Sequence, residues 1–310
     1  MRFSELVELR EQLIKRYTTE SITNEVKILE TTLLSIANNT PPSEFTIDVH
    51  NLSTDLTRSY DLLKQHNTRY QDLLKHLEQK IEQESAKFFT DNYTLELKYS
   101  SPENIRNVRV MKLSDDVRAE IQQRIQLYTD WRYPVMEIGC RDGEWTQYLV
   151  AGDPLYIVDH HQEFIDSATA QFSDQYRNRV RVYLTGEHDL SALPENQMGF
   201  VFCWNFLNYS SLDTVKEYLK EVKRTLRPGG VFLFSYNDGD RPGCAGMAEN
   251  FFMSYIPRRM LIPLCESLGF EIVCDHARER TISWIEVRKP GTLTTNKAHQ
   301  VMGEIKLVGR

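Results

Sequence analysis

The sequence predicts an α/β protein in which a mostly parallel β-sheet carries helices on both faces and a long helical segment precedes the sheet. Two patterns lead to this prediction. Before residue 92, apolar residues repeat at alternating steps of three and four, as along a long helix; after residue 133, short apolar runs alternate with helical segments. A chain of 310 residues, 41% of them hydrophobic and 26% charged, is long enough for one domain with an extension.

The helical segment repeats most regularly between residues 56 and 88. Its apolar seam consists of Leu56, Tyr60, Leu63, Asn67, Tyr70, Leu74, Leu77, Ile81 and Phe88, and only Glu84 interrupts it. Two packed antiparallel helices and an oligomerising coiled coil both produce such a seam, and Asn67 favours the coiled coil because a polar seam residue fixes the register. The helix would be about 55 Å long. A shorter stretch of the same kind, residues 22–36, is separated from it by Pro41 and Pro42, which interrupt a continuous helix.

The chain is expected to divide into a helical or coiled-coil arm (1–92), a bridging segment with short strands and a helix (93–132), a sheet domain (133–288) and a C-terminal tail (289–310). In the bridging segment we expect strands at 94–99 and 108–112, followed by a helix for which Ser114 is the N-cap. Through residues 1–90 we expect the chain to form a homo-oligomer or to bind a protein partner.

Composition argues against several classes of function. No run approaches the roughly 18 apolar residues that a membrane span needs, and residues 1–5 lack the apolar core of a secretory signal, so we expect a cytoplasmic protein without a membrane partner. A net charge of −7 disfavours nucleic acid as a partner. The five cysteines have no C-x-x-C spacing and are odd in number, so we expect buried thiols and neither a metal site nor a disulfide framework.

The sheet domain is predicted from seven short apolar runs. They cover residues 135–138, 155–158, 180–184, 200–204, 231–236, 271–274 and 282–287. Parallel strands of this kind bind ligands beyond their carboxyl ends, near the point where the strand order reverses.

A glycine turn follows the first predicted strand. Gly139 and Gly143 allow a tight turn and a close approach of a ligand to bare backbone, and we expect a helix directly after them whose N-terminal N–H groups face a carboxylate. Asp159 ends the second strand, where an acid can accept hydrogen bonds from the ribose hydroxyls of a nucleoside cofactor. A nicotinamide-dependent oxidoreductase is disfavoured, because Arg141 and Glu144 replace the second and third glycines of G-x-G-x-x-G.

Four motifs in order resemble those of class I S-adenosylmethionine-dependent methyltransferases. They are Glu137-Ile138-Gly139-Cys140-Arg141-Asp142-Gly143, then Asp159, then Leu226-Arg227-Pro228-Gly229-Gly230-Val231, and last Leu268-Gly269-Phe270-Glu271. They look like the family's first glycine motif, its ribose-binding acid, its L-[KR]-P-G-G turn before the fifth strand and its "aGFe" sequence before the sixth. The resemblance spans residues 137–271 and implies a Rossmann-like, seven-stranded methyltransferase sheet with S-adenosylmethionine as cofactor.

The cofactor-binding residues that the resemblance implies are Glu137, Gly139, Cys140, Arg141, Gly143, Asp159, His160, Glu187, Asp189, Trp204 and Asn205. The first five would surround the methionine half, and the last two would lie near the sulfonium and the acceptor. Asp159 would bind the ribose, with His160 beside it, and either Glu187 or Asp189 would face the adenine. Arg141, in place of the usual second glycine, would narrow the loop or add a charge beside the cofactor. The sequence at residues 205–208 lacks the [DNS]-P-P-[YFW] signature, which disfavours base and amide N-methylation.

Methyl transfer depends mainly on alignment of the reactants and exclusion of water, so no single catalytic residue is required. Polar residues after strand ends are candidates for a base, and each could equally be an ordinary polar loop residue; they are His160, His161, Tyr209, Tyr236, Asp238 and Asp240. Arg241, Arg258 and Arg259 could bind an anionic acceptor or be solvated.

We expect a methyltransferase that acts on oxygen or nitrogen of a small molecule, a sugar or a protein side chain and is oligomerised by its N-terminal helices. The alternative is a structural or assembly protein, for example one encoded by a virus, that keeps the fold without turnover.

Overall fold

The computed structural model describes residues 2–16, 46–90, 101–107, 113–186, 188–278 and 280–293. The chain divides into two compact units, Met1–Ala86 and Lys87–Arg310. Several predicted features lie outside the described residues; they are the helical stretch 22–36, the break at Pro41 and Pro42, both bridging strands, Glu187 and most of the tail.

In the described part of the first unit the chain forms two helices, α1 (Phe3–Arg16) and α2 (Thr46–Thr90). The 45 residues of α2 correspond to a length of about 68 Å. Tyr70, Leu77 and Ile81 are buried and lie on one side of α2, because they are spaced by seven and four residues. This part of the seam is covered by other residues of the same chain, without a second copy; an oligomeric coiled coil stays a prediction.

The second unit contains a seven-stranded sheet. Its strands are β1 (Val135–Ile138), β2 (Leu155–Asp159), β3 (Val180–Leu184), β4 (Met198–Cys203), β5 (Leu226–Tyr236), β6 (Glu271–Arg278) and β7 (Ile282–Arg288). Their order is β3-β2-β1-β4-β5-β7-β6, with β1 to β5 parallel and β7 antiparallel to both of its neighbours. The predicted fold class is confirmed, and the strand order reverses between β1 and β4.

The fifth and sixth strands are longer than predicted. β5 begins at Leu226, within the motif predicted as a turn, because Leu226 pairs with Met198 and the N–H of Gly229 donates to the carbonyl of Lys289 at 2.8 Å. β6 continues to Arg278 because antiparallel pairing with β7 extends to the hairpin that joins them. The extension of β5 depends on residues distant in the sequence, whereas that of β6 depends on its partner in the hairpin.

The largest departure from the prediction follows the glycine turn. Instead of an α-helix, the chain forms only a three-residue 3₁₀ helix, Thr146–Tyr148. Aromatic and β-branched residues around it have modest helix propensity, and Gly152 and Pro154 follow at once. The Thr146 hydroxyl also donates to Glu137 Oε2 at 2.6 Å. The prediction that helix N-terminal N–H groups face a ligand carboxylate here was therefore wrong.

Helices cover both faces of the sheet. They are α3 (Pro102–Asn107), α4 (Asp115–Tyr128), α5 (Gln162–Ala170), α6 (Asp174–Arg177), α7 (Leu212–Thr225), α8 (Pro242–Glu249) and α9 (Arg258–Ser267). Along β5, Phe232 and Phe234 belong to the apolar cluster with α7 and α9, whereas Val231 and Leu233 belong to the cluster with α4 and α5. The predicted N-cap of α4 is confirmed, since Ser114 Oγ accepts from the N–H of Val117.

A buried ion pair joins α4 to β7. The fully buried Glu286 pairs with Arg124 and accepts a hydrogen bond from the Tyr128 hydroxyl at 2.6 Å. Burial alone would raise the pKa of Glu286, but hydrogen bonds from His276, Arg124 and Tyr128 outweigh it and lower the pKa to about 2. The carboxylate is therefore ionised inside the protein, and Arg124 is its full counter-charge.

β3 forms one edge of the sheet, and part of its surface is uncovered. Val182 and Leu184 are 50% and 57% exposed and, two residues apart, lie on the same face. Arg181 alternates with them and is also exposed.

Four of the five cysteines are buried and all five are free thiols, as predicted. Among the described residues, no helix carries an apolar stretch that would suffice to cross a membrane.

Candidate functional site

The predicted site residues meet at the carboxyl ends of β1, β2 and β4. Glu137 lies near the end of β1, Asp159 ends β2, and Trp204 follows β4 directly; all three are buried. Because Ile138 pairs with Cys203, Trp204 and Gly139 leave neighbouring strands side by side. This is the position where a sheet of this order reverses and binds ligands.

Asp159 is held by the glycine turn and by its own loop. Its Oδ1 accepts from the N–H of His161 at 3.0 Å, and its Oδ2 accepts from the N–H of Arg141 at 3.3 Å and from the Cys140 thiol at 3.6 Å. Burial raises the pKa of Asp159, and the two N–H groups act against that rise. A carboxylate offers about four acceptor positions and three are used here, so one remains for a ribose hydroxyl, and a second becomes free if the Cys140 thiol turns away.

The surroundings of Glu137 favour its neutral form. Burial raises its pKa to about 8, the nearby Asp159 adds to the rise, and the hydrogen bond from Thr146 opposes it. A cationic group placed beside Glu137 would favour its ionised form. The residue thus fits an ammonium group, with release of a proton when such a group binds.

The two glycines of the turn have left-handed backbone, with φ of 75° at Gly139 and 82° at Gly143. A side chain at Gly139 would come within 2.4 Å of the Phe206 ring, and one at Gly143 within 2.2 Å of the Gln171 amide. The bare backbone that a cofactor would approach is therefore approached here by protein side chains.

Phe206 lies between the ends of the first two strands. Its ring stacks on His160 with centroids 5.2 Å apart and meets Tyr218 edge-on at 5.7 Å. The sequence offered no signal for this role, because Phe206 was noted only as part of a motif that does not match. A ligand that approaches Gly139 from the side on which a Cβ would lie has to displace this ring.

His160 and Arg141 are both engaged within the protein. His160 Nδ1 donates to the carbonyl of Thr185 at 3.1 Å, and Nε2 accepts from the Tyr218 hydroxyl at 2.8 Å. In this arrangement His160 has no nitrogen left to act as a base. Arg141 has a φ of 47°, and its guanidinium donates to the carbonyl of Ile105 in α3 at 2.8 Å, which holds its charge there.

Of the two candidates for adenine contact, only Asp189 is described. It is exposed, and its Oδ1 accepts from the N–H of Ser191 at 2.9 Å. Hydrogen bonds from Ser191 lower its pKa. This contact closes a turn, and the choice between Asp189 and Glu187 stays a prediction.

Two base candidates at the end of β5 have contacts within the fold, Tyr236 with β6 and Asp238 with the start of α9. The Tyr236 hydroxyl is fully buried and donates to Asp275 Oδ1 at 3.3 Å. Asp238 Oδ1 accepts from the N–H groups of Asp240 and Arg258, at 3.1 and 3.0 Å, and burial raises the Asp238 pKa to about 6. Their contacts give both side chains a structural role.

The three arginines considered for an anionic acceptor are used inside the protein. Arg241 donates to the Ile282 carbonyl at 2.6 Å and to Ser283 Oγ at 3.0 Å. Arg258 pairs with Asp275, and Arg259 pairs with Asp240. The structure therefore does not support the expectation that they bind an anion.

A recess opens beside Trp204. It is lined by Leu113, Trp204, Asn205, Asn208, Ser235 and residues 281–283, and we refer to it as the Trp204 recess. The N–H of Asn205 donates to Ser235 Oγ at 2.6 Å, Ser235 Oγ donates to Asn208 Oδ1 at 2.7 Å, and the Tyr209 hydroxyl donates to Asn205 Oδ1 at 3.3 Å. Sequence reasoning missed Ser235 and Ser283 because both lie in apolar strands.

Part of this chain is similar in sequence to known methyltransferases. Residues 135–230 match the family model described as "Methyltransferase domain". Thiol S-methyltransferase TMT1B of Homo sapiens is 28% identical over 103 residues, which cover 32% of this chain and 41% of that protein. The Mus musculus protein of the same name is 29% identical over 110 residues, 34% of this chain and 43% of that protein. The chain thus spans about two fifths of the length of the curated relatives it matches.

Among solved structures, a SAM-dependent methyltransferase from Aquifex aeolicus is 17% identical, covering 61% of this chain and 98% of that chain with a TM-score of 0.46. N-methyltransferase NodS from Bradyrhizobium japonicum WM9, in complex with S-adenosyl-L-homocysteine, is 15% identical, covering 64% of this chain and 98% of that chain, also with a TM-score of 0.46.

Proposed function

We propose that this chain, whose residues 135–230 belong to the methyltransferase domain family, binds S-adenosylmethionine at the ends of β1, β2 and β4 and transfers its methyl group to an acceptor. The observation that carries the proposal is Asp159, a buried acid at the end of β2, held against the glycine turn by the N–H of Arg141. The proposed function involves neither a membrane nor a nucleic acid as a partner.

The residues present fit the cofactor by their chemistry. Glu137 matches the ammonium, Asp159 matches the two ribose hydroxyls, and Gly139 offers bare backbone once the Phe206 ring has moved. When bound, the cofactor supplies an electrophilic methyl group and a neutral thioether leaving group. The protein has then to orient an acceptor lone pair in line with that methyl and to exclude water.

General base catalysis is not part of this proposal. His160, Tyr236 and Asp238 are each engaged in contacts within the protein, and Tyr209 donates to Asn205. The acceptor is therefore an atom that is nucleophilic as it binds, or one that loses its proton to solvent. Oxygen and nitrogen are the expected acceptor atoms, and the names of the curated relatives add sulfur.

Asp159→Asn is expected to weaken binding of S-adenosylmethionine and S-adenosylhomocysteine by roughly 10- to 100-fold, because a charge-assisted hydrogen bond to ribose is worth about 1.5–3 kcal/mol. Calorimetric titration of the intact protein measures the affinity. Asp174→Asn is the matched control, since Asp174 is exposed on α6 and should leave binding unchanged. Wild-type affinity in Asp159→Asn, or no binding of either ligand to folded wild-type protein, contradicts the proposal.

Phe206→Ala is expected to tighten binding of S-adenosylmethionine by about tenfold, because a closed state that covers Gly139 reduces the apparent affinity in proportion to its population. The same titration measures this change. Phe251→Ala, at an exposed phenylalanine in the loop after α8, is the control. Weaker binding in Phe206→Ala would mean that the ring contacts the cofactor instead of obstructing it.

A second function remains a candidate for one reason: Phe206 covers the first glycine of the turn. In a structural or assembly protein that keeps the fold without turnover, the Phe206 ring would cover Gly139 permanently. It is favoured if neither the wild type nor Phe206→Ala binds S-adenosylmethionine. The partner of the helical arm, a second copy or another protein, stays a proposal that rests on the seam of α2.

A further inference from the structure

We propose that the methyl acceptor is an uncharged molecule that binds in the Trp204 recess, where the side-chain amide of Asn205 donates a hydrogen bond to it. This inference rests on the proposed function and names the substrate class for the same site. The recess lies beside the glycine turn, because Trp204 and Asn205 directly follow Cys203, the partner of Ile138 in the sheet. An acceptor held there lies next to the methionine end of the cofactor site.

Among the residues that the structure describes, the lining of the recess carries no charge. All its side chains are apolar or are neutral amides and hydroxyls. A cation that contacts a lining residue is Arg241. It donates to Ser283 Oγ and also to the carbonyls of Ile282 and Arg278. A charged acceptor would lose its hydration here without gaining a counter-charge. An uncharged acceptor does not carry this cost.

Asn205, one of the described residues that line the recess, carries an unused hydrogen-bond donor. Asn205 Oδ1 accepts from the Tyr209 hydroxyl, whereas Asn205 Nδ2 is buried and has no hydrogen-bond partner. An unmet buried donor costs about 1–3 kcal/mol, a penalty that a ligand with an acceptor atom removes. Ser235 offers no unused donor, since its hydroxyl already accepts from the N–H of Asn205 and donates to Asn208 Oδ1.

The backbone fixes this amide in place. Asn205 has a φ of 54°, a left-handed conformation that few residues other than glycine and asparagine adopt readily. Strain of this kind persists where the surrounding structure enforces it, here through the short hydrogen bond to Ser235.

The opposite wall of the recess is rigid and aromatic. Trp204 stacks nearly parallel to Phe202 and contacts the rings of Trp145 and Trp284, with centroids 5.7 and 5.9 Å away. Leu113 adds a further apolar side chain to the lining. An acceptor with an apolar body and one hydrogen-bond-accepting group matches both walls.

Two isosteric probes test the inference, 4-(mercaptomethyl)benzamide and 4-(mercaptomethyl)benzoate, which differ in charge at one end. Each is titrated calorimetrically into the intact protein saturated with S-adenosylhomocysteine. We expect the amide to bind at least tenfold more tightly than the carboxylate, because burial without a counter-charge penalises the anion. Methyl transfer from labelled S-adenosylmethionine to the probe sulfur is the second readout.

Asn205→Gly removes the amide while keeping a residue that tolerates the left-handed backbone. In protein saturated with S-adenosylhomocysteine, we expect it to weaken binding of the benzamide probe about tenfold. Asn196→Gly is the matched control, since Asn196 has a φ of 53° but is exposed in the segment between β3 and β4 and lies outside the recess.

The outcomes separate the two proposals. If S-adenosylhomocysteine binds but the carboxylate binds as tightly as the amide, or neither probe binds, the inference about the acceptor is wrong and the proposed function stands. Wild-type benzamide affinity in Asn205→Gly overturns the role of Asn205. If S-adenosylhomocysteine itself does not bind, the proposed function fails, and the inference fails with it.

Discussion

Glu137→Gln is expected to be more stable than the wild type at pH 8.5 by several kcal/mol and to differ little from it at pH 5. Burial raises the pKa of Glu137 from 4.5 to about 8, so the folded protein keeps a proton that the unfolded chain releases between these values. Stability of the wild type therefore falls as the pH rises through this window. The contribution of this one group amounts to roughly 5 kcal/mol at about 1.4 kcal/mol per pKa unit, and glutamine does not titrate.

Urea unfolding of both proteins at pH 5 and pH 8.5 measures this effect. Glu266→Gln, at an exposed glutamate in α9, serves as the control and should show the pH dependence of the wild type. A parallel pH dependence in Glu137→Gln and the wild type would mean that Glu137 is ionised in the folded protein. An anionic Glu137 would also remove the proton release that we attribute to binding of an ammonium group.

Arg124→Met is expected to lower the free energy of unfolding by about 3–5 kcal/mol, because it leaves the buried carboxylate of Glu286 without its full counter-charge. Tyr128 and His276 still contact Glu286, but neither supplies a permanent positive charge. The double variant Arg124→Met with Glu286→Gln should recover much of the loss, since no buried charge then remains.

Denaturant unfolding at pH 7 measures these differences, with Arg132→Met as the control. Arg132 pairs with Asp130 at the surface, where its side chain is 45% exposed, so its loss should change stability by less than about 1 kcal/mol. Equal losses in Arg124→Met and Arg132→Met would show that the buried pair does not hold α4 on β7. Failure of the double variant to recover would assign the loss to packing of the Arg124 side chain.

Much of the sheet could be predicted because its central strands are continuous apolar runs. β1 has its predicted bounds, since it is buried along its whole length; β3, an exposed edge strand, has its predicted bounds as well. The start of β5 could not be predicted, because its Pro-Gly-Gly sequence is typical of turns and becomes strand only through pairing with Lys289. The missing helix after the glycine turn depends likewise on a contact between Thr146 and Glu137.

In the candidate site, too, some residues could be predicted from the sequence and others could not. Asp159 and the two glycines could be predicted because they are needed for backbone geometry at fixed strand ends. The side of the sheet on which a residue lies could not be predicted, because the alternation of side chains along a strand does not tell which face of the sheet meets the recess. Ser235 and Tyr236 are neighbours in β5; Ser235 lines the recess, and Tyr236 contacts Asp275 instead.

The exposed face of β3 has a consequence for the protein in concentrated solution. A strand at a sheet edge can accept a further strand from another molecule, and exposed Val182 and Leu184 would add an apolar contact to that pairing. Arg181 brings like charges together when two such edges approach, which opposes aggregation. Salt screens this repulsion, with a Debye length of about 10 Å at 0.1 M and 3 Å at 1 M. High ionic strength during purification therefore weakens the repulsion that keeps this edge apart from its copies.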